Sequence, residues 1–301
     1  MEISVVLNTL NCQENLAKAL KSIEKIADEI IVCDDGSGDK TLEIAKEFNA
    51  KIFHHKGMGY VEPARNFAIE RAQGPWILLL DCDEEIPTSL SSKLKELASG
   101  DRRSEIDYVL IPRKNIIFGK WIKHTGWWPD YNVRFFKKGR VTFSNKIHEQ
   151  PQTQGREWKL ADKESLAIVH HNYQTIGQFL ERVNKYTDIE ARELLDSGYK
   201  FSWIDLFKKP DGEFLSRFFA QEGYKDGIHG FILSSLQSLS FFVTYIKVWE
   251  LQGRIEQAID LKEFEKETFL GLRELKHWLF KSLGKSEGRV RKFLYRLLGK
   301  S

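Results

Sequence analysis

Short apolar runs and helically spaced stripes alternate along the first third of the chain, separated by polar turns. Residues 3–7 predict a buried strand, followed by the polar turn Asn8-Thr9-Leu10-Asn11. Leu16, Ala19, Leu20, Ile23 and Ile26 then recur at helical spacing. Residues 29–33 predict a second strand that runs into Asp34-Asp35-Gly36-Ser37-Gly38-Asp39. A helix over 41–48, a strand over 50–53 and a helix over 64–73 come next, the last closed by Gly74 and Pro75. Trp76-Ile77-Leu78-Leu79-Leu80 is too short for a membrane span and reads as a strand buried on both faces. This rhythm predicts an α/β protein with a mostly parallel sheet and a ligand site at the carboxyl ends of its strands. The polar clusters 8–11, 34–39 and 81–84 all fall there.

From about Asp107 the pattern changes. Residues 108–111, 116–118, 133–136 and 140–143 predict shorter strands in hairpin-like order, with Lys137-Lys138-Gly139 turning between the last two. The segment 119–130 concentrates Trp121, Trp127 and Trp128, which suit core packing or stacking on a sugar or base. After His170-His171 the chain reads as helical, with heptad-like runs at 176–195 and 255–283. Residues 230–246 carry no charge but four serines, and fall just short of a membrane helix. They predict a helix packed on the protein or lying against lipid.

Charge and cysteine content narrow the picture. The net charge of +3 hides a basic tail, since residues 281–301 hold seven Lys/Arg and one Glu. Within it Val290, Phe293, Leu294, Leu297 and Leu298 form a stripe with Arg289, Arg291, Lys292 and Arg296 off it. A short basic amphipathic helix of this kind predicts an anchor on an anionic membrane surface. Nucleic acid is a poor partner, because basic residues are confined to the tail and the aromatic segment lacks a basic surround. Three cysteines without C-x-x-C spacing predict neither a disulfide framework nor a zinc site, and fit a reduced, cytoplasmic setting. Met1 leads directly into the first strand without a basic leader, so no signal peptide is expected.

Two clusters carry candidate chemistry. The strand at 76–80 ends in Asp81, Asp83 and Glu84. Extended side chains alternate faces, so Asp81 and Asp83 share one face and Cys82 takes the other. Such a pair is costly unless a cation or substrate compensates it, and hard oxygen ligands suit Mg²⁺ or Mn²⁺ holding a diphosphate. A solvated acidic turn is the plainer alternative. In 34–39 the glycines would let backbone N–H groups approach a ligand, against the alternative of a capped turn with Asp39 as N-cap. G-x-G-x-x-G is absent, which leaves a nicotinamide-binding Rossmann enzyme little support.

Residues 4–11, 28–41, Ala64-Arg65-Asn66 and Leu79-Leu80-Asp81-Cys82-Asp83-Glu84 together resemble family 2 inverting glycosyltransferases of the GT-A fold. The similarity continues through Gly126-Trp127-Trp128-Pro129-Asp130, Arg134-Phe135-Phe136, Ile147-His148-Glu149, His171-Asn172-Tyr173 and 182–187, and is closest in kind to bacterial lipopolysaccharide-core glycosyltransferases. Cys82 inside the D-x-D and Ser37-Gly38 depart from the family pattern without removing a functional side chain.

The resemblance implies a GT-A nucleotide-diphospho-sugar transferase domain over 1–225 and a helical extension over 226–301. It implies that Thr9, Asn11, Asp35, Arg65, Asn66, Asp81 and Asp83 bind the nucleotide sugar, with Asp35 on the uracil. Asp83, Asp81 and His171 would hold Mg²⁺ or Mn²⁺. Glu149, with Asp130 second, would be the general base, and Trp127, Trp128 and His148 would line the sugar or acceptor pocket. The expected activity is metal-dependent transfer of a glucose-like hexose from a UDP-sugar to lipopolysaccharide core or a related lipid-linked surface glycan. The enzyme would be peripheral on the inner face of the cytoplasmic membrane. Alternatives are a polyprenyl-linked or capsular acceptor and, from another class, a non-catalytic nucleotide-sugar binder.

Overall fold

The computed structural model describes residues 2–55, 62–99, 105–144 and 150–286. In chain order the first half contains β1 (Ile3–Thr9), α1 (Leu16–Ile23), β2 (Glu29–Asp34), α2 (Thr41–Glu47), β3 (Lys51–His54), α3 (Glu62–Glu70), β4 (Trp76–Asp81), β5 (Glu84–Glu85) and α4 (Thr88–Ser99). Then come β6 (Tyr108–Ile117), β7 (Lys120–Trp121), β8 (Asp130–Lys137), β9 (Val141–Thr142), β10 (Gln152–Thr153), β11 (Glu157–Lys159) and β12 (Ile168–His171). The main sheet runs β3-β2-β1-β4-β8-β6-β12-β5. Its β3 to β4 half is parallel, as the alternation of strand and helix predicts. The other half is mixed: β8 is antiparallel to both β4 and β6, and β12 is parallel to β6.

The uninterrupted apolar run of β4 follows from its position. Trp76, Leu78 and Leu80 pack with Leu16, Leu20, Leu90 and Leu94 on the α1/α4 side. Ile77 and Leu79 pack with Ala64 and Ala68 of α3 on the other. Each fully buried side chain contributes about 1.5–3 kcal/mol. The small residues of α3 let that helix lie close to the sheet.

Two strand predictions are corrected. Ile116 and Ile117 end the long β6 instead of forming a separate strand. Val141 and Thr142 pair with Thr153 and Gln152, not with β8. The turn after β8 closes through Arg140 N–H on the Lys137 carbonyl, but Lys138 N–H goes to the Pro75 carbonyl (2.9 Å), so the chain leaves the sheet there.

Two compact units emerge, residues 1–116 with 129–172, and residues 117–128 with 173–301. The second unit contains β7, α5 (Ile176–Asp196), α6 (Asp205–Leu215), α7 (Ile228–Leu251) and α8 (Leu261–Ser286). This division differs from the boundary at 225/226, because α7 packs on α5 and α6 and draws both into its unit. Gly230 lies so close to the Gly223 carbonyl that a Cβ there would meet it at 1.8 Å, and no side chain can substitute without moving backbone. By length and composition α7, with a mean hydropathy of 1.4, qualifies as a membrane span. The amphipathic tail at 289–298 lies outside the described residues.

Candidate active site

The acidic end of β4 is embedded in a polar network within the first unit. β4 stops at Asp81 and the chain turns at Cys82 and Asp83 before β5, so strand alternation does not carry on to Asp83. Arg134, 3 % exposed, donates to Asp81 and to Glu84 Oε1 (2.9 Å). Arg65 lies 3.4 Å from Asp81 Oδ1. Glu84 is fully buried, accepts the Asp81 N–H at 3.0 Å and lies 3.4 Å from Arg113. Arg113 grips Asp130 through Nε (2.9 Å) and Nη2 (2.6 Å), while Asn115 and Asn132 also donate to that carboxylate.

From Asn115 the network reaches the ring of His170 (2.6 Å), whose Nε2 is 3.6 Å from Asp83 Oδ2. Burial pushes the Asp81 carboxyl up, but Arg134 and Arg65 overcome it and hold the group well below the usual range. Burial likewise opposes the ionised form of Asp130, and Arg113 with its amide donors more than compensates. Three guanidiniums face the four carboxylates Asp81, Asp83, Glu84 and Asp130, so among these seven side chains acids outnumber arginines by one.

The side chains expected to hold a metal are engaged as follows. Asp81 is engaged by arginines, and His171 directs Nε2 to Glu85 Oε1 at 2.6 Å. Successive side chains of a strand face opposite ways, and in β12 it is His170 that turns inward to Asp83. Among the described residues no three His, Cys, Asp or Glu side chains gather as a metal-binding group. The donors that could hold a divalent ion here are Asp83, His170 at 3.6 Å from it, and His171, which lines the same small cleft as Asp83, a thin set. It suits Mg²⁺, or Mn²⁺ bound in the same way, which takes one or two protein ligands and completes its shell with phosphate oxygens and water. Cys82, Asp83, Glu85 and His171 line a small cleft with Asn15 and Lys18 at the start of α1.

The site demands further partners. Both amide atoms of Asn8 are buried without a hydrogen-bond partner among the described residues, as are Arg65 Nε and Arg134 Nε. Asn8 sits at the carboxyl end of β1 in register with Asp81 of β4 and Cys33 of β2. Each such orphan costs about 1–3 kcal/mol, which a polar ligand entering at the strand ends would recover.

Beside it the loops after β1 and β2 are laced together. Asp34 accepts from Thr9 Oγ1 (3.0 Å), Gly36 N–H (3.0 Å) and Ser37 N–H (2.9 Å). Asn11, at φ +53°, accepts the Gly38 N–H at 2.9 Å. The Gly36, Ser37 and Gly38 amides are therefore occupied internally; Lys40, not Asp39, is the N-cap of α2, and Asp39 just before it accepts the Thr41 N–H at 3.0 Å. Asp35 remains at the carboxyl end of β2, 3.3 Å from His55 Nδ1, and burial raises its pKa. Asn66 clamps the backbone of Phe143 with both amide atoms (2.7 and 2.9 Å), and Arg65 lies over the Phe143 ring. His148 and Glu149 lie outside the described residues. In the second unit Trp127 meets Tyr173 and Trp128 meets Trp121, both edge to face.

Cys12 and Cys82 form a disulfide, against the expectation of free thiols. They follow the ends of β1 and β4, neighbouring strands, and a separation of 70 residues hides the pairing from any local motif. Cys33 is free and buried, its thiol pushed up to about 12, chiefly by burial. Sequence reasoning assigned no role to Asn8, Glu84, Arg113 or His55. Asn8 stood in a polar turn already noted, but its burial depends on both flanking strands.

Residues 4–157 match the family profile described as Glycosyl transferase family 2. An uncharacterised glycosyltransferase of Rickettsia typhi is 26% identical over 86% of this chain and 90% of its own length. The lipopolysaccharide core biosynthesis glycosyltransferase LpsC of Rhizobium meliloti is 24% identical over 83% of this chain and 93% of its own. Among solved structures, S. aureus TarS 1–349 aligns over 86% of this chain and 94% of that one, with 16% identity and a TM-score of 0.43.

Proposed function

Because the chain belongs to glycosyl transferase family 2 and has the GT-A fold with a helical C-terminal region, we propose that it moves a glucose-like hexose, with inversion, from a UDP-sugar to lipopolysaccharide core or a related lipid-linked surface glycan. The observation that carries this reading is the set of buried polar atoms of Asn8, Arg65 and Arg134 that have no hydrogen-bond partner among the described residues and lie beside Asp81, where β1 and β4 end. Ligands of open α/β sheets bind at such a place. The similarity to LpsC, a lipopolysaccharide core biosynthesis enzyme by name, supports the acceptor class. Such an acceptor places the enzyme peripherally on the inner face of the cytoplasmic membrane.

In this reading the Asp35 carboxylate accepts the imide N–H of uracil. Asp81, kept ionised by Arg134 and Arg65, contacts the ribose, and Asn8 offers its amide to the donor. A divalent cation would be held by Asp83 with His170 or His171 alongside, and would supply charge neutralisation for the departing diphosphate. Deprotonation of the acceptor hydroxyl falls to Glu149. Asp130 is ill suited to that task, because Arg113 and two amides hold its carboxylate and lower its basicity. The test is UDP release by the full-length protein with a panel of UDP-hexoses, Mn²⁺ and either lipid A-core or polyprenyl-linked acceptor. Turnover that needs the core acceptor and disappears in Glu149→Gln supports the reading. UDP binding without turnover on any acceptor makes the chain a nucleotide-sugar binder.

A further inference from the structure

Large apolar side chains are exposed very unevenly. Among the described residues Leu10 is the one exposed case in the first unit, whereas α7 and α8 of the second unit display Phe231 (47%), Leu239 (41%), Phe269 (64%), Leu272 (55%) and Leu279 (42%), with others beside them. Soluble surfaces seldom cluster such residues without a partner.

The two exposures are joined. Phe231 of α7 meets Phe214 of α6 edge to face. Phe214 in turn lines a cavity of about 390 Å³ between α6 and α8, together with Trp203, Phe207, Phe264, Leu272 and Leu275. The rings of Trp203, Phe207 and Phe264 pack on one another along its wall.

The polar groups on these helices point to the covering medium. No charge occurs between Gly230 and Ile246. Three of the four serines of α7 are satisfied by protein: Ser234 donates to the Gly230 carbonyl (2.7 Å), Ser235 to that of Phe231 (2.9 Å), and Ser238 to that of Pro210 (2.8 Å). A helix whose hydroxyls are bonded this way loses little on leaving water. On α8, Leu272, Leu275 and Leu279 recur at i, i+3 and i+7, with Arg273, Lys276 and one acid, Glu274, next to the stripe, and Lys281 lies 4.3 Å from the Trp278 ring. A leucine stripe bordered by cations and a tryptophan is the pattern of a helix lying in an anionic interface. Spanning is disfavoured because α7 packs along α5 and α6, and Thr244 bonds Glu190 (2.8 Å).

We propose that the exposed face of α7 and α8 docks on the surface of an anionic bilayer, with one lipid chain seated in the cavity between α6 and α8. This extends the lipid-linked acceptor reading but stands on the second unit alone. It adds a docking face distinct from the basic tail.

The test is flotation of the full-length protein with phosphatidylglycerol/phosphatidylethanolamine vesicles and with phosphatidylcholine vesicles. The wild type should float with the anionic vesicles and bind phosphatidylcholine at least tenfold more weakly. Leu239→Glu with Leu279→Glu, both exposed and outside the cavity lining, should weaken binding roughly 100-fold at an unchanged thermal midpoint. Should that variant lose its fold, Arg273→Gln with Lys276→Gln keeps the proposal testable, with an expected loss of at least tenfold and a smaller salt dependence. Brominated acyl chains should quench tryptophan fluorescence in the wild type and measurably less in Trp203→Phe. Failure of the wild type to float, full binding by both surface variants, or a dimer dispersed by Leu279→Glu would each overturn the proposal. UDP release in the same preparations separates the two readings: flotation without turnover strikes only the catalytic assignment, and turnover without flotation only this one.

Discussion

Replacing Arg134 by Met removes the cation that two acids of the site share while roughly keeping side-chain length. Arg134 is 3 % exposed and donates to both Asp81 and Glu84, the latter fully buried. Breaking a buried ion pair from one side costs about 3–5 kcal/mol, because the remaining charge stays desolvated. Arg113 and Arg65 reach the same acids only at 3.4 Å, which places the expectation inside that range and not below it.

The pH dependence adds a second constraint. In the wild type Asp81 titrates below its ordinary value of 3.8 in the folded state. Its stabilisation is therefore complete above about 3.8 and is lost as pH falls through the folded value. In Arg134→Met the stranded carboxylates instead gain relief by protonation, so the deficit should shrink as pH falls from 7 to 4. Urea unfolding followed by fluorescence at pH 7, 5 and 4 measures this. A deficit under about 1 kcal/mol at pH 7, or one that grows on acidification, refutes the assignment of Arg134 as the shared counter-ion.

Three further perturbations probe other parts of the site. Asn8→Val removes two orphaned polar atoms, so the ligand-free protein should keep or gain stability by up to about 2 kcal/mol while UDP-sugar affinity falls roughly tenfold; thermal denaturation and calorimetric titration read the two effects separately. Burial raises the Asp35 pKa, so UDP binding should weaken on acidification at a higher pH than an ordinary aspartate would give, and Asp35→Asn should flatten that profile in calorimetry. Cys12→Ser opens a cross-link spanning 70 residues, worth about 4 kcal/mol in chain entropy; urea midpoints of the variant and of reduced wild type should fall together, and equal midpoints with and without reductant contradict the cross-link.

The parallel half of the sheet was legible because β4 is apolar at every position and lies between two helix layers, a pattern that needs only local sequence. The carboxyl-end clusters followed from it. What was not legible depends on partners far along the chain. Arg134 comes from β8, 53 positions beyond Asp81, and supplies that carboxylate with a counter-ion no local motif announces. That the ring of His170 faces Asp83 rests on which face of β12 meets it, a matter of strand register with β5 and β6. Val141 and Thr142 had the composition of a hairpin partner for β8, but backbone bonds to Pro75 diverted the chain. Cys12 and Cys82 meet because β1 and β4 are neighbours, and neither flanking sequence signals it.

The central claim is that Asp83 holds the divalent cation that neutralises the donor diphosphate. The direct measurement is UDP release by wild type and Asp83→Asn at saturating UDP-hexose, acceptor and Mn²⁺. The account predicts steady turnover by the wild type and a rate roughly 10²–10³-fold lower in the variant, with its fold intact and Asp35-dependent UDP binding still detectable. Equal rates in the two proteins, or no release by either, would contradict it.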